Sequence, residues 1–386
     1  MDESTKSVWK ISALNSLLKM ITIFASFFWA IFYNSIGFSG TQIGIILGAF
    51  SITGLITTIP SGFINDKVKS KNLITIAILL IATHFIGVGL FPKFIPVLIF
   101  SIIGGFGNYL YVTSSESFFY KTTEKTNIEK KIAIFQGLTY VTMGLGIILG
   151  GKLLDINVPF EKVVIGAGIF FTLLAIYSRT LPKSVTTELE LVHYKKDIFQ
   201  PKVILFLSIM ALFAFHYGAE NTSYGLFLRK DLMLTNFQSG LYIGLSIIPM
   251  GASAIFFTKI LKKIQVKNLL FFGLIASAIG HILMTVNDPI YSFLFRMFHE
   301  IGDSAVFVFM AYGITSMFDL KRVGGNNGII YFTIIISTAL SNLITGPMGE
   351  KYGYTVPLIV TGVVLMVAFI IALIFNNLII KHQQET

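Results

Sequence analysis

Long apolar runs alternate with brief polar breaks along almost the whole chain. A helix rises 1.5 Å per residue, so about 20 apolar residues cross the roughly 30 Å of hydrocarbon in a bilayer. Twelve runs reach that length, at 11–35, 41–64, 72–91, 95–119, 130–152, 160–179, 202–228, 238–260, 268–286, 290–318, 325–347 and 355–380. The breaks have the chemistry of turns. Gly37, Ser39 and Gly40 separate the first pair, Pro92 and Pro96 bracket the third turn, and Asn287, Asp288 and Pro289 form another. One connection is longer, with mixed acidic and basic residues between Pro182 and Pro201. The pattern therefore predicts an all-α polytopic membrane protein with twelve transmembrane helices in two six-helix bundles. Residues 1–180 and 202–386 form the bundles, and 181–201 is the linker. The first apolar run is too long for a signal-peptide core and is expected to remain as an anchor.

Composition strengthens this reading. Of the 386 residues 54% are hydrophobic and only 12% charged, against roughly 25% charged in soluble domains. Mean hydropathy is +0.78. The solvent around most of the chain is expected to be lipid. The net charge of +10 raises nucleic acid as a partner, but the lysines cluster between apolar runs instead of forming one basic face, and no nucleic-acid role is expected. They report orientation instead, because cytoplasmic loops are enriched in Lys and Arg. With the N-terminus in the cytoplasm, 21 of the 29 Lys and Arg fall on the cytoplasmic side, six outside and two within spans. Both termini are thus expected in the cytoplasm and the chain in the cell membrane. There is no cysteine, which excludes disulfides and thiol chemistry.

The halves are weakly self-similar. Lys71-Asn72-Leu73 opens the third span and Lys267-Asn268-Leu269 the ninth, while Phe100 to Asn108 in the fourth aligns with Phe295 to Asp303 in the tenth. Such repeats are common in secondary transporters. Local motifs then carry a resemblance. Gly62 to Lys71, with Asp66 and Lys67 between them, resembles the glycine–aspartate–basic loop of the major facilitator superfamily, with Lys69 and Ser70 replacing the usual glycine and arginine. Gly37 to Gly44 is also similar. Gly146 to Gly151 resembles the glycine-rich motif of its fifth helix, with Ile147 where proline is frequent. Gly346-Pro347-Met-Gly349 is the proline version, and Arg296 with Gly302 is similar to the motif of its tenth helix. The resemblance implies two bundles that rock about a central cavity, with Gly62, Asp66, Lys67 and Lys71 in a gating loop.

Charge at bilayer depth is costly and needs a partner, a wet cavity or a function. Sorted by span, the acids and fixed bases at that depth fall on the first, fourth, seventh and tenth: Lys19, Glu116, Glu220, Arg296, Glu300 and Asp303. In the superfamily those helices line the cavity, so the resemblance makes these residues, with Asn108, His216 and His299, the candidate substrate- and proton-binding set. His216 and Glu220 are four apart, as are Arg296 and Glu300, and His299 and Asp303. On a regular helix each pair shares a face. That spacing suits a proton relay, since a carboxylate in a low dielectric holds its proton and a histidine beside it can accept one. It equally suits ion pairs that only join helices. Lys19 and Glu116 are expected to pair, and Asn108 and Asp303 to face each other. His84 and His281 are expected to be helix-interface histidines.

The cavity acids outnumber its fixed cations, which favours cations or protons over anions. Tyr217, Tyr224 and Phe227 could hold amphipathic or cationic solutes. The expectation is a monomeric secondary transporter of a small molecule, proton-coupled, with efflux of amphipathic or cationic compounds preferred. The alternatives are a proton-coupled importer of a polar solute, or a non-transporting receptor or lipid flippase of the same fold. An enzyme is not expected. His299-Glu300-Ile-Gly-Asp303 is close to the zinc-protease pattern but lacks its second histidine, and no two histidines are spaced for a metal on one helix. No phosphate-binding glycine loop is present, and no cofactor is expected.

Overall fold

Helices form on all twelve runs in a computed structural model, which describes residues 3–122, 128–182, 199–260, 264–317 and 323–379. In chain order they are α1 (Glu3–Ser35), α2 (Gly40–Lys67), α3 (Ser70–Leu90), α4 (Phe94–Thr122), α5 (Ile128–Asp155) and α6 (Phe160–Ser178). The second set begins with α7 (Pro201–Lys230). It continues with α8 (Asn236–Ile260), α9 (Val266–Leu283), α10 (Pro289–Met317), α11 (Val323–Tyr352) and α12 (Thr355–Ile374). Most of the linker lies outside the described residues.

Local chemistry sets the helix ends. Ser39 and Gln42 form a reciprocal capping box at the start of α2, with bonds of 3.2 and 3.0 Å. Gly37 ahead of it has φ +89°, which favours glycine. The Asp288 carboxylate accepts from the Ile290 and Tyr291 amides at 2.9 and 3.0 Å and caps α10. Several helix ends differ from the expected runs, as where α1 starts at Glu3 and α11 ends at Tyr352, and one difference bears on a motif. Gly62 to Lys67 is the last part of α2, and the break before α3 is confined to Val68 and Lys69. No helix-breaking pair occurs between Gly62 and Lys67, so the backbone continues its ladder.

Among the described residues, eleven of the twelve helices are long and apolar enough to cross a membrane. The exception, α10, has 29 residues but carries Arg296, Glu300 and Asp303. Large apolar side chains on the outer faces are open, including Ile56 at 62%, Ile176 at 66% and Ile248 at 64% exposure. Against water such faces would drive association; against acyl chains they cost nothing.

The described chain forms two compact units, 1–189 with 234–244, and 190–233 with 245–386. The same pairings recur in each: α3 packs on α4 and α6 as α9 packs on α10 and α12, and α1 packs on α5 as α7 packs on α11. Phe206, Phe213, Leu270, Leu274, Phe309 and Leu365 lie in the core of the second unit. Small residues let its backbones meet. A Cβ at Gly302 would strike the Ser277 backbone, and one at Gly280 the His299 backbone.

Candidate functional site: a buried histidine–carboxylate cluster

The second unit contains a dense group of ionisable side chains inside its helix bundle, and α7 contributes through an irregular backbone. It is regular from Pro201 to Ala214, resumes at His216–Ala219, widens into a π-helical turn over Glu220–Tyr224 and ends as Gly225–Lys230. Asn221, Thr222 and Ser223 sit in this turn, and short polar side chains compete with the backbone ladder. Thr222 Oγ1 donates to the Gly218 carbonyl at 2.8 Å and lies 2.9 Å from Thr345 Oγ1 of α11. π turns inside helices often mark functional positions. The π turn follows the His216–Glu220 step, whose backbone is a regular i,i+4 turn with the Glu220 N–H bonded to the His216 carbonyl. His216 turns to Asp303, and Glu220 turns to Arg296 and His299.

Arg296 organises the acids. Its Nη1 donates to Glu220 Oε1, its Nη2 lies 3.4 Å from Glu220 Oε2, and the same Nη2 meets Glu300 Oε1 at 2.6 Å. The guanidinium carbon lies 4.8 Å from the centre of the Tyr224 ring. Arg296 thus pairs with Glu220 and Glu300 while Asp303 lies against the histidines, and with all three acids ionised and the histidines neutral two negative charges are left uncompensated. Arg296, Glu300 and Asp303 are buried. Glu220 is the most open of the group, its side chain 17% exposed.

Three histidines close around these acids. The ring centres of His216, His281 and His299 lie 4.8 to 5.2 Å apart. His216 Nε2 is 3.2 Å from Asp303 Oδ2, and His299 Nε2 is 3.2 Å from Glu220 Oε1 and 3.6 Å from Asp303 Oδ2. His281 Nδ1 is 3.8 Å from Glu220 Oε1. The other nitrogen of each ring meets an acceptor. His216 Nδ1 lies 2.5 Å from the Phe213 carbonyl, and His299 Nδ1 lies 2.9 Å from the Ser277 carbonyl. His281 Nε2 lies 3.0 Å from Thr361 Oγ1, whose own hydrogen goes to the Pro357 carbonyl at 2.9 Å. Each outer nitrogen therefore carries a proton. In the neutral rings, the three inner nitrogens have no hydrogen to offer the carboxylate oxygens that lie 3.2 to 3.8 Å away. A proton on the ring or on the acid, or a metal cation between them, makes the arrangement favourable.

Two of these groups were not among the sequence candidates. His281, expected at a helix interface, is buried between α9, α10 and α12, and its ring also joins the cluster. Ser277 holds Asp303 Oδ1 at 2.6 Å. The signal was the α9–α10 hairpin: folding back about the 287–289 turn brings residues near 280 opposite residues near 299. His84 does match its expected role, with Nδ1 2.9 Å from the Phe100 carbonyl and its ring against Trp29 and Phe85.

The remaining candidates lie in the first unit. Lys19 on α1 and Asn108 and Glu116 on α4 are half-buried. The pairing expected of Lys19 and Glu116 is not formed: among the described residues no salt bridge or hydrogen bond joins them. Nearby, Asn15 Nδ2 donates to Thr139 Oγ1 at 2.8 Å and the Tyr111 hydroxyl to Asn15 Oδ1 at 3.3 Å, tying α1 to α5 and α4. Gly62 is exposed on α2, and Lys71 Nζ donates to the Leu181 carbonyl at 3.3 Å. The side chains of Asp66 and Lys67 lie outside the described residues.

A polytopic helix bundle in two like halves with buried charge at membrane depth is the build of a membrane carrier. The family model of the Major Facilitator Superfamily matches residues 11–263 and 207–379, and the chain belongs to that superfamily. No curated protein matches it in sequence. Among solved structures, a bacterial homologue of the human lysosomal transporter Spinster, inward-facing and occupied, is 13% identical with a TM-score of 0.80, covering 97% of each chain. The nucleoside transporter NupG is 13% identical with a TM-score of 0.76, over 96% of this chain and 99% of its own. The human organic anion transporter MFSD10 is 13% identical with a TM-score of 0.67, over 96% and 100%. At such identity the likeness is one of fold. The chain is thus a multi-pass membrane protein of a transporter family.

Proposed function

We propose that the protein is a secondary active transporter that moves a small solute by alternating access, driven by a proton gradient. It acts as a monomer in the cell membrane with both termini in the cytoplasm. The observation that carries this reading is the charge deficit of the buried cluster. Three acids against one guanidinium at membrane depth demand a mobile cation, and a carrier can use its arrival and departure to bias two states. The proton is the cation assigned here, and the inner nitrogens of His216, His281 and His299, with Glu220, are where it would lodge. The excess of acids, with Tyr217 and Tyr224 beside them, favours amphipathic or cationic solutes, and export is the preferred direction. The similar proteins named above are described as transporters of nucleosides and of organic anions, which fits solutes of this size class.

Reconstituted protein in liposomes with an imposed pH gradient tests the reading, with a panel of nucleosides, organic cations and amphipathic dyes measured in both directions. Proton-driven flux of at least one class is expected, collapsing in Glu220→Gln and Asp303→Asn. Unchanged flux in both variants at equal reconstitution would refute it.

A further inference from the structure

We propose that His216, His299 and Asp303 form a binding site for one divalent d-block cation, with Zn²⁺ as its natural probe, inside the α7–α9–α10 bundle. Its two bridging distances suit such an ion. Zinc binds histidine nitrogen at about 2.0–2.1 Å and carboxylate oxygen at about 2.0–2.2 Å, so tetrahedral ligand atoms lie roughly 3.3 Å from one another. Asp303 Oδ2 lies 3.2 Å from His216 Nε2 and 3.6 Å from His299 Nε2, and the three ligand atoms fall within 4.8 Å of one another.

The surroundings are those of a metal site too. A ligating histidine usually donates its other N–H to a backbone carbonyl or carboxylate, which fixes the tautomer and aims the lone pair. Both rings do so here, His216 to Phe213 and His299 to Ser277. The second oxygen of Asp303 is held by the Ser277 hydroxyl. His216 Nε2 is fully buried and, apart from Asp303 Oδ2 at 3.2 Å, has no polar partner. Charge points the same way: a divalent ion supplies the two positive charges that three carboxylates and one guanidinium leave wanting. Nitrogen-rich donors disfavour Mg²⁺ and Ca²⁺, which prefer oxygen, and suit Zn²⁺ and its neighbours in the d block.

A second triad, Glu220, His281 and His299, also lies within 4.8 Å. Glu220 Oε1 is already held by Arg296 Nη1, and a metal there would sit against the guanidinium. The Asp303 side is the better site for that reason. Sequence spacing could not display it, because its ligands come from two helices and only the fold joins them. The site rests on the charge deficit used above, but its test does not involve transport.

The test uses tag-free full-length protein in detergent, since a polyhistidine tag would bind the probe. Cobalt is titrated and followed by the visible d–d bands of a low-coordinate N/O site, then displaced with Zn²⁺. Thermal unfolding is recorded with Zn²⁺ and with Mg²⁺. One equivalent is expected to bind, with Zn²⁺ raising the melting temperature and Mg²⁺ leaving it unchanged. Asp303→Asn and His216→Ala should each weaken binding by at least the 10- to 100-fold, roughly, that losing an outer-shell partner costs. Ser277→Ala should fall in that range, and His84→Ala should bind like the wild type. Absence of a stoichiometric cobalt signal in monodisperse wild-type protein overturns the proposal, whatever the variants do. Binding that survives His216→Ala but is lost in His281→Ala overturns the choice of triad. Zinc binding without pH-driven flux would leave this site standing and remove proton coupling; the reverse would do the opposite.

Discussion

Replacing Arg296 with methionine keeps much of the stem's packing and removes the one fixed cation among three buried acids. Glu220 and Glu300 then lose the guanidinium that each contacts. Removing one partner of a buried ion pair costs about 3–5 kcal/mol, because the remaining charge is left without compensation. Coulomb's law gives a similar figure, about 4 kcal/mol for unit charges 4 Å apart at an effective dielectric of 20. Arg296→Met is therefore expected to destabilise the protein by roughly 4 kcal/mol. If the loss is electrostatic, neutralising the stranded acids must recover most of it. The triple variant Arg296→Met/Glu220→Gln/Glu300→Gln should then be more stable than Arg296→Met alone. Thermal melts in detergent, followed by the fluorescence of Trp9 and Trp29, provide the comparison across all three proteins. A triple variant no more stable than the single one would refute the reasoning. Packing of the arginine over Tyr224 would then carry the effect.

Three further outcomes follow from the same geometry. Ser277→Ala strips the hydroxyl from Asp303 Oδ1 and should cost about 1–3 kcal/mol in thermal stability, while a serine that merely fills space would be nearly silent. Gly280→Val pushes a branched side chain into the His299 backbone and should cost at least about 1–3 kcal/mol from overpacking, whereas Gly62→Val, with open space around it, should change the melting temperature little. Ser39→Ala breaks the capping box of α2 and should cost about 1 kcal/mol; restoration by Thr or Asp and failure of restoration by Val would separate capping from side-chain volume.

Much of this fold was legible in the linear pattern, because each transmembrane helix satisfies its own backbone and announces itself by length and hydropathy. The family match and the structural likeness agree with the motifs at Gly62, Gly146 and Arg296. The depth criterion also picked out Glu220, Arg296, Glu300 and Asp303 without any structure, since intramembrane charge is rare enough to be noticed singly. His281 was set aside because it lies on the ninth span, outside the four that the resemblance assigns to the cavity. Its role depends on the register of the α9–α10 hairpin.

Hydropathy along a chain therefore determines that this protein lives in a bilayer, which stretches form its helices, and which residues are out of place there. It does not determine which of those residues meet. The approach of α7 to α10 sets His216 beside Asp303 and Glu220 beside Arg296, the close backbone contact at Gly280 and Gly302 brings α9 against α10, and Ser277 and Thr361 hold the outer nitrogens of His299 and His281. Each is a contact between residues on different helices. Those are properties of packed side chains in three dimensions, and only the tertiary structure turns scattered intramembrane charges into one cluster.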